Sequence, residues 1–166
     1  LMPDCAEAHY GLGRVLLGKG QDDEAIGYFR KALKLDPDHH DAHCGVGAIL
    51  SNNKGDYDGA IAAFREAIRL KPSECSTHVN LGITWARKEL YAPAAAEYRE
   101  AIRLSPEDAF ALGALASLLA NCPDPKIRHA GQALELAKKA VKFAPETTNY
   151  WQILGWAQYR SAAWKA

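Results

Sequence analysis

Apolar residues recur along this chain with the period of a helix, and the helices themselves recur. In "EAIGYFRKALKL" (24–35), Ala25, Phe29 and Ala32 form one stripe of a 3.6-residue helix. The stripe returns as Ala60, Phe64 and Ala67, then as Ala94, Tyr98 and Ala101, and finally as Ala133, Ala137 and Ala140, where alanine replaces the ring. Ahead of each stripe an apolar-plus-small pair marks another helix: Leu12-Gly13, Val46-Gly47, Leu81-Gly82 and Leu115-Ala116, with Leu154-Gly155 as a fifth. Pro3, Pro37, Pro72, Pro106 and Pro145 step by 34, 35, 34 and 39 residues. Nothing alternates with the two-residue period of a strand. Each unit reads as two antiparallel helices.

The columns have a packing logic. Small residues let two helices approach closely, and the ring fills the gap between them. Neither helix can bury its stripe alone, so neighbouring units must stack. The repeats fall at 4–37, 38–72, 73–106 and 107–145, with a partial unit at 146–166. "GKGQDD" (18–23) and "NNKGDYD" (52–58) supply turns within repeats. Asp36-Pro37 and Ser105-Pro106 predict a capping side chain before a proline at the first helical position, and Ser105 with Asp108 resembles a capping box. One extra residue in the second repeat falls in "SNNKGD". The fourth repeat inserts "NCPDPKIRHAGQ" (121–132), whose prolines predict a protruding loop. Both ends break within the repeat pattern, so the chain reads as a stretch of a longer array. The final helix is expected to leave Trp151, Leu154 and Trp164 uncovered and so to favour self-association.

These columns and their 34-residue step resemble the tetratricopeptide repeat, over essentially the whole chain. The block from 118 to 160 is similar to arrays in large bacterial proteins. The resemblance implies an all-α fold: a right-handed superhelical α-solenoid of about four and a half helix pairs, the first helix of each pair lining a concave groove. It implies a non-enzymatic scaffold that binds a peptide or helix in that groove.

Composition narrows the alternatives. With 20 basic and 20 acidic residues, the chain has no overall bias toward nucleic acid or an anionic membrane surface. Its longest apolar run, "AFALGALASLLA" (109–120), is too short to span a bilayer. The opening "LMPDCAEAHY" does not read as a signal or transit peptide. Cys5, Cys44, Cys75 and Cys122 form no CxxC pair, which favours reduced thiols in a cytoplasmic compartment. No catalytic motif stands out, and the glycines of "GLGRVLLGKG" (11–20) fall in the packing column and the turn.

One stretch invites a chemical reading. "DPDHHDAHCG" (36–45) places His39 with His43, and His40 with Cys44, on shared helix faces, a spacing that can grip a metal. Yet His43 aligns with His9 and His78, in a column continued by Leu112 and Trp151, so it reads as one of three equivalent packing residues. Neighbouring helices lie about 8–10 Å apart, too far for three such histidines to share one metal. A metal module at residues 39–44 is therefore the distant alternative, and no cofactor is expected.

The resemblance also implies where a partner would lie. First-helix residues facing the groove are Tyr10, Arg14 and Leu17, then Cys44, Ala48 and Ser51, then Asn80, Ile83 and Arg87. Phe110, Gly113 and Ser117, with Gln152, Trp156 and Arg160, continue the set. The slots that hold a carboxylate clamp in the family's chaperone-tail receptors carry Tyr10, Gly45 and Ser76 here, with only Arg14 cationic nearby, so a clamp of that kind is not expected. Partners are a protein or peptide, or further copies of the chain joined through the C-terminal partial repeat, rather than nucleic acid or membrane.

Overall fold

Turns at regular intervals divide the computed structural model into helices; it describes residues 5–163. Among the described residues the chain forms nine α-helices and no strand: α1 (Ala6–Gly18), α2 (Asp22–Leu35), α3 (His40–Ile49), α4 (Tyr57–Leu70), α5 (Cys75–Arg87), α6 (Tyr91–Leu104), α7 (Ala109–Asn121), α8 (Ala130–Phe143) and α9 (Thr148–Ala163). They form two units, residues 1–84 and 85–166.

In the first unit α1 packs on α2, α2 on α3, and α3 on α4. Phe29 sits between two glycines: a Cβ built on Gly13 would stand 2.6 Å from its ring, and one on Gly45 2.7 Å from it. Gly47 meets Phe64 in the same way, at 2.9 Å. Ala25, Ala32, Ala60 and Ala67 are fully buried. Burying each ring contributes about 1.5–3 kcal/mol, available only because the facing residues lack a side chain. Leu12, with no helix before α1 among the described residues, stays 48% exposed.

In the second unit α7 packs on α6, α8 and α9, and α8 packs on α9. Ala94, Ala101, Ala133 and Ala140 are fully buried, as is Ala137 in the ring column, where Tyr98 is buried too. Here the bulk at one contact comes from the next repeat: Tyr150 of α9 lies against Gly113 of α7, whose Cβ would come within 2.6 Å of the ring. Gly113, expected to face a groove, is buried under Tyr150. Leu154, expected to be uncovered, is also buried, on the face α9 turns to α7 and α8. Trp151 is half exposed as expected, and Trp164 lies outside the described residues.

The proline turns correct the expected capping. At Asp36–His39, Lys71–Glu74, Ser105–Asp108 and Ala144–Thr147, the fourth residue's N–H donates to the first residue's carbonyl, at 3.2, 3.3, 3.1 and 3.2 Å. Proline is thus the second residue of a β-turn, where its fixed φ and missing N–H also fit. The next helix begins only after the turn. Its cap is His39 for α3, whose Nδ1 accepts from the Ala42 N–H at 3.3 Å, and Asp108 for α7, accepting from Ala111 at 2.7 Å. Asp36 and Ser105 sit three residues too early to cap.

Insertions are absorbed locally. The second repeat's extra residue is taken up by a π-helical turn, Leu50–Lys54, closed by Gly55 at φ 66°. The longer insertion does not protrude freely: the His129 N–H donates to the Leu119 carbonyl at 3.0 Å, and Cys122 is buried. The first repeat turns at Gly20 (φ 73°), and the same position in the third carries Glu89 at φ 62°.

Candidate functional site

The residues that attracted a chemical reading meet the first of the expected groove residues. Tyr10 of α1 is half-buried, its ring 4.8 Å from that of His39 and 5.8 Å from that of Phe29, with the Arg14 guanidinium 5.8 Å from the Tyr10 ring centre. His39 accepts at Nδ1 from Ala42, so its proton is on Nε2, which donates to Glu7 Oε2 at 3.2 Å. His39 therefore joins α1 to the start of α3 and supports the Tyr10 ring. Burial, then the nearby Asp41 charge, pushes the Tyr10 phenol above its ordinary value. It remains a neutral hydrogen-bonding group at neutral pH.

His40 turns the other way. Its Nδ1 lies 2.7 Å from Asp41 Oδ1, and its Nε2 faces Cys44 Sγ at 3.7 Å and Thr77 Oγ1 at 3.4 Å. The hydrogen bond from His40 holds the Asp41 carboxyl below its usual range. The order Asp41–His40–Cys44 resembles that of a nucleophilic triad, but burial pushes the Cys44 thiol up, away from the thiolate such chemistry needs. Cys44 also meets Thr77 at 3.6 Å, and seven residues further along each segment Ser51 Oγ, in the π-helical turn, lies 3.0 Å from Thr84 Oγ1. Cys44 thus joins α3 to α5, and the buried Ser51 joins the π-helical turn to α5.

The histidine column has a shared task. His43 Nε2 donates to the Pro37 carbonyl at 2.9 Å, His78 Nε2 to that of Pro72 at 3.2 Å, and Trp151 Nε1 to that of Pro145 at 2.8 Å. Each ring N–H ties its helix to the proline turn six residues earlier. His39 and His43 are thus committed to different partners. Among the described residues no three His, Cys, Asp or Glu side chains converge as a metal site would require.

The remaining expected groove residues divide by unit. In the first, Arg14 is exposed and Leu17, Ala48, Asn80 and Ile83 are half-buried, with the Asn80 carbonyl accepting from Thr84 at 2.8 Å. In the second, Arg87, Gln152 and Arg160 are exposed, Ser117 is half-buried, and Phe110 and Trp156 are about half exposed.

A feature invisible in the sequence lies in the second unit. A cavity of about 710 Å³ opens beside the 122–129 loop, with Arg99 from α6, Arg128 from the loop and Arg160 from α9 in its wall. These arginines belong to three elements with no shared spacing, so no periodicity could have grouped them. No described helix is long and apolar enough to cross a membrane.

Comparison with known proteins agrees with this architecture. Models described as tetratricopeptide repeat match residues 6–39, 28–62 and 53–109. The fold is similar to that of MamA (41-end) from Desulfovibrio magneticus RS-1, with TM-score 0.81 and 23% identity over 98% of this chain and 88% of that one. It is similar to Pseudomonas aeruginosa pilF, with TM-score 0.82 and 21% identity over 95% and 69% of the two chains. YrrB, described as a TPR protein with an unusual peptide-binding site, aligns with TM-score 0.76 and 20% identity over 97% and 80%. No curated protein sequence matches. The chain belongs to the tetratricopeptide-repeat family, and its fold is an all-α helical-repeat solenoid. That is the fold of a protein–protein interaction scaffold.

Proposed function

We propose that the protein is a non-enzymatic, cytoplasmic scaffold, of bacterial type, that binds an extended or helical peptide. The contact surface in the first unit is Tyr10, Arg14, Leu17, Ala48, Asn80 and Ile83, with Cys44 behind it. In the second unit Arg87, Phe110, Ser117, Gln152 and Trp156 offer corresponding contacts. The observation that carries this reading is Tyr10, packed beside His39 with the Arg14 guanidinium near its ring. An aromatic ring already fixed in place loses little freedom on binding. Asn80 adds an amide that can both donate to and accept from a peptide backbone.

Panning a displayed library of random peptides against the chain tests this. Selected peptides should bind Tyr10→Ala or Arg14→Ala about tenfold more weakly, the loss of one aromatic or cation–π contact. Equal binding by both variants would remove these residues from the site.

A second reading, self-assembly through the C-terminal partial repeat, draws on Trp151, Trp156 and Tyr159, exposed by 53%, 50% and 74% on α9. Light scattering at several concentrations separates the two: a mass rising with concentration, and lowered by Trp151→Ala, supports assembly.

A further inference from the structure

We propose that the cavity beside the 122–129 loop is a second binding site, for an acidic peptide segment that carries an apolar residue next to its carboxylates. Three guanidiniums, from Arg99, Arg128 and Arg160, stand in its wall together with the His129 ring, and no acidic side chain lines it among the described residues. This is a local imbalance in a chain with net charge zero. Elsewhere the protein pairs such groups: Arg69 bonds Glu66 at 2.8 Å and Asp38 at 2.9 Å, and Arg103 holds both oxygens of Glu100 at 2.8 and 2.7 Å. The three cavity arginines make no such pair with any described residue. A guanidinium fork fits a carboxylate with two parallel hydrogen bonds.

The site is built rather than incidental. The loop is held by the bond from His129 to Leu119 and by Asp124, which accepts the Lys126 N–H at 2.9 Å and the Ile127 N–H at 3.1 Å. It ends where α8 begins, with no acidic residue in the first turn and open space around Gly131, so the positive end of α8 adds to the arginine field. The volume falls in the range of roughly 300–1,000 Å³ typical of ligand sites, well beyond one small anion. Pro125 and Ala130 give the wall an apolar part, and Arg160 also borders a neighbouring recess of about 530 Å³ lined by Trp156 and Tyr159. Paired basic and apolar walls suit a peptide with both kinds of side chain. Apart from Arg160 and Trp156, these residues lie outside the expected groove.

Fluorescence anisotropy with a fluorescein-labelled octapeptide of alternating glutamate and leucine tests the proposal on the whole chain. The peptide should bind, and binding should weaken as salt rises. The glutamine counterpart should not bind. Arg99→Ala, Arg128→Ala and Arg160→Ala should each weaken binding about tenfold, the scale of one charge-assisted hydrogen bond. All three arginines are exposed, so the helical circular dichroism should not change. Tyr10→Ala should leave this affinity unchanged, which keeps the result independent of the Tyr10 surface. Several outcomes would overturn the proposal: no binding at low salt, equal binding of the glutamine peptide, or equal binding by the triple arginine variant. Displacement by inorganic phosphate at concentrations below those of the glutamate peptide would replace the peptide with a free anion and overturn it too.

Discussion

A Cβ added to Gly13 would stand 2.6 Å from Cε1 of Phe29, whereas one added to Gly11, two residues earlier on the same helix, would meet nothing within 4 Å. The two glycines therefore respond in opposite directions to one methyl group. Gly13→Ala must displace a buried ring held on its other side by Gly45, and is expected to cost about 1–3 kcal/mol. Gly11→Ala gains helix propensity and is expected to stabilise by up to about 1 kcal/mol. Urea unfolding of both variants checks the pair.

Glu89 occupies the left-handed position that Gly20 and Gly55 fill in earlier repeats. Its N–H and that of Leu90 close the end of α5 onto the Ala86 and Trp85 carbonyls, at 3.0 and 2.9 Å. The turn is needed, but the side chain is strained there. Glu89→Gly should stabilise by about 1 kcal/mol, seen as a raised Tm, and Glu89→Ala should not.

Ser51 and Thr84 meet in the buried contact between the π-helical turn and α5. Thr84→Val leaves a polar neighbour facing a methyl group and should cost about 1–2 kcal/mol. Adding Ser51→Ala should recover part of that loss. A double-mutant cycle showing strict additivity would mean the pair contributes no coupling.

Tyr98 is 4% exposed, and burial pushes its phenol up to about 12 from 10.0. The neutral phenol is the form the fold favours. Its contribution is therefore complete below pH 10.0 and lost as pH rises toward about 12. The stake is roughly 2–3 kcal/mol, from 1.36 kcal/mol per unit. Alkaline unfolding followed by circular dichroism should lose this component in Tyr98→Phe.

The thiols should react in order of exposure. Cys5 is exposed, Cys44 is half-buried with its thiol pushed up, and Cys122 is buried. Timed alkylation with iodoacetamide and peptide mass mapping should find Cys5 modified first and Cys122 last. Early modification of Cys44 would show it to be more acidic than its surroundings allow.

Much of the fold was legible because it rests on local period. Ala25, Phe29 and Ala32 repeat at helical spacing, and the glycine facing the ring repeats with them, so the helix pairs and their close contacts could be read from one copy to the next. Capping was less legible. Proline after Asp36 or Ser105 suits both a helix start and the second position of a turn, and only the backbone path decided for the turn, moving the caps to His39 and Asp108. Histidine chemistry was likewise undetermined. Spacing put His39 and His40 side by side, but their roles depend on Glu7 and Thr77, each more than 30 residues away in sequence. Tyr150 over Gly113 exchanges bulk between repeats, which no single column reveals. Repeated helix pairs closed by small residues and rings follow from the sequence alone, because that information is periodic and short in range. Tertiary structure alone decided which polar groups meet, from the Ser51–Thr84 contact to the three arginines around one cavity, because such meetings depend on where separate helices end.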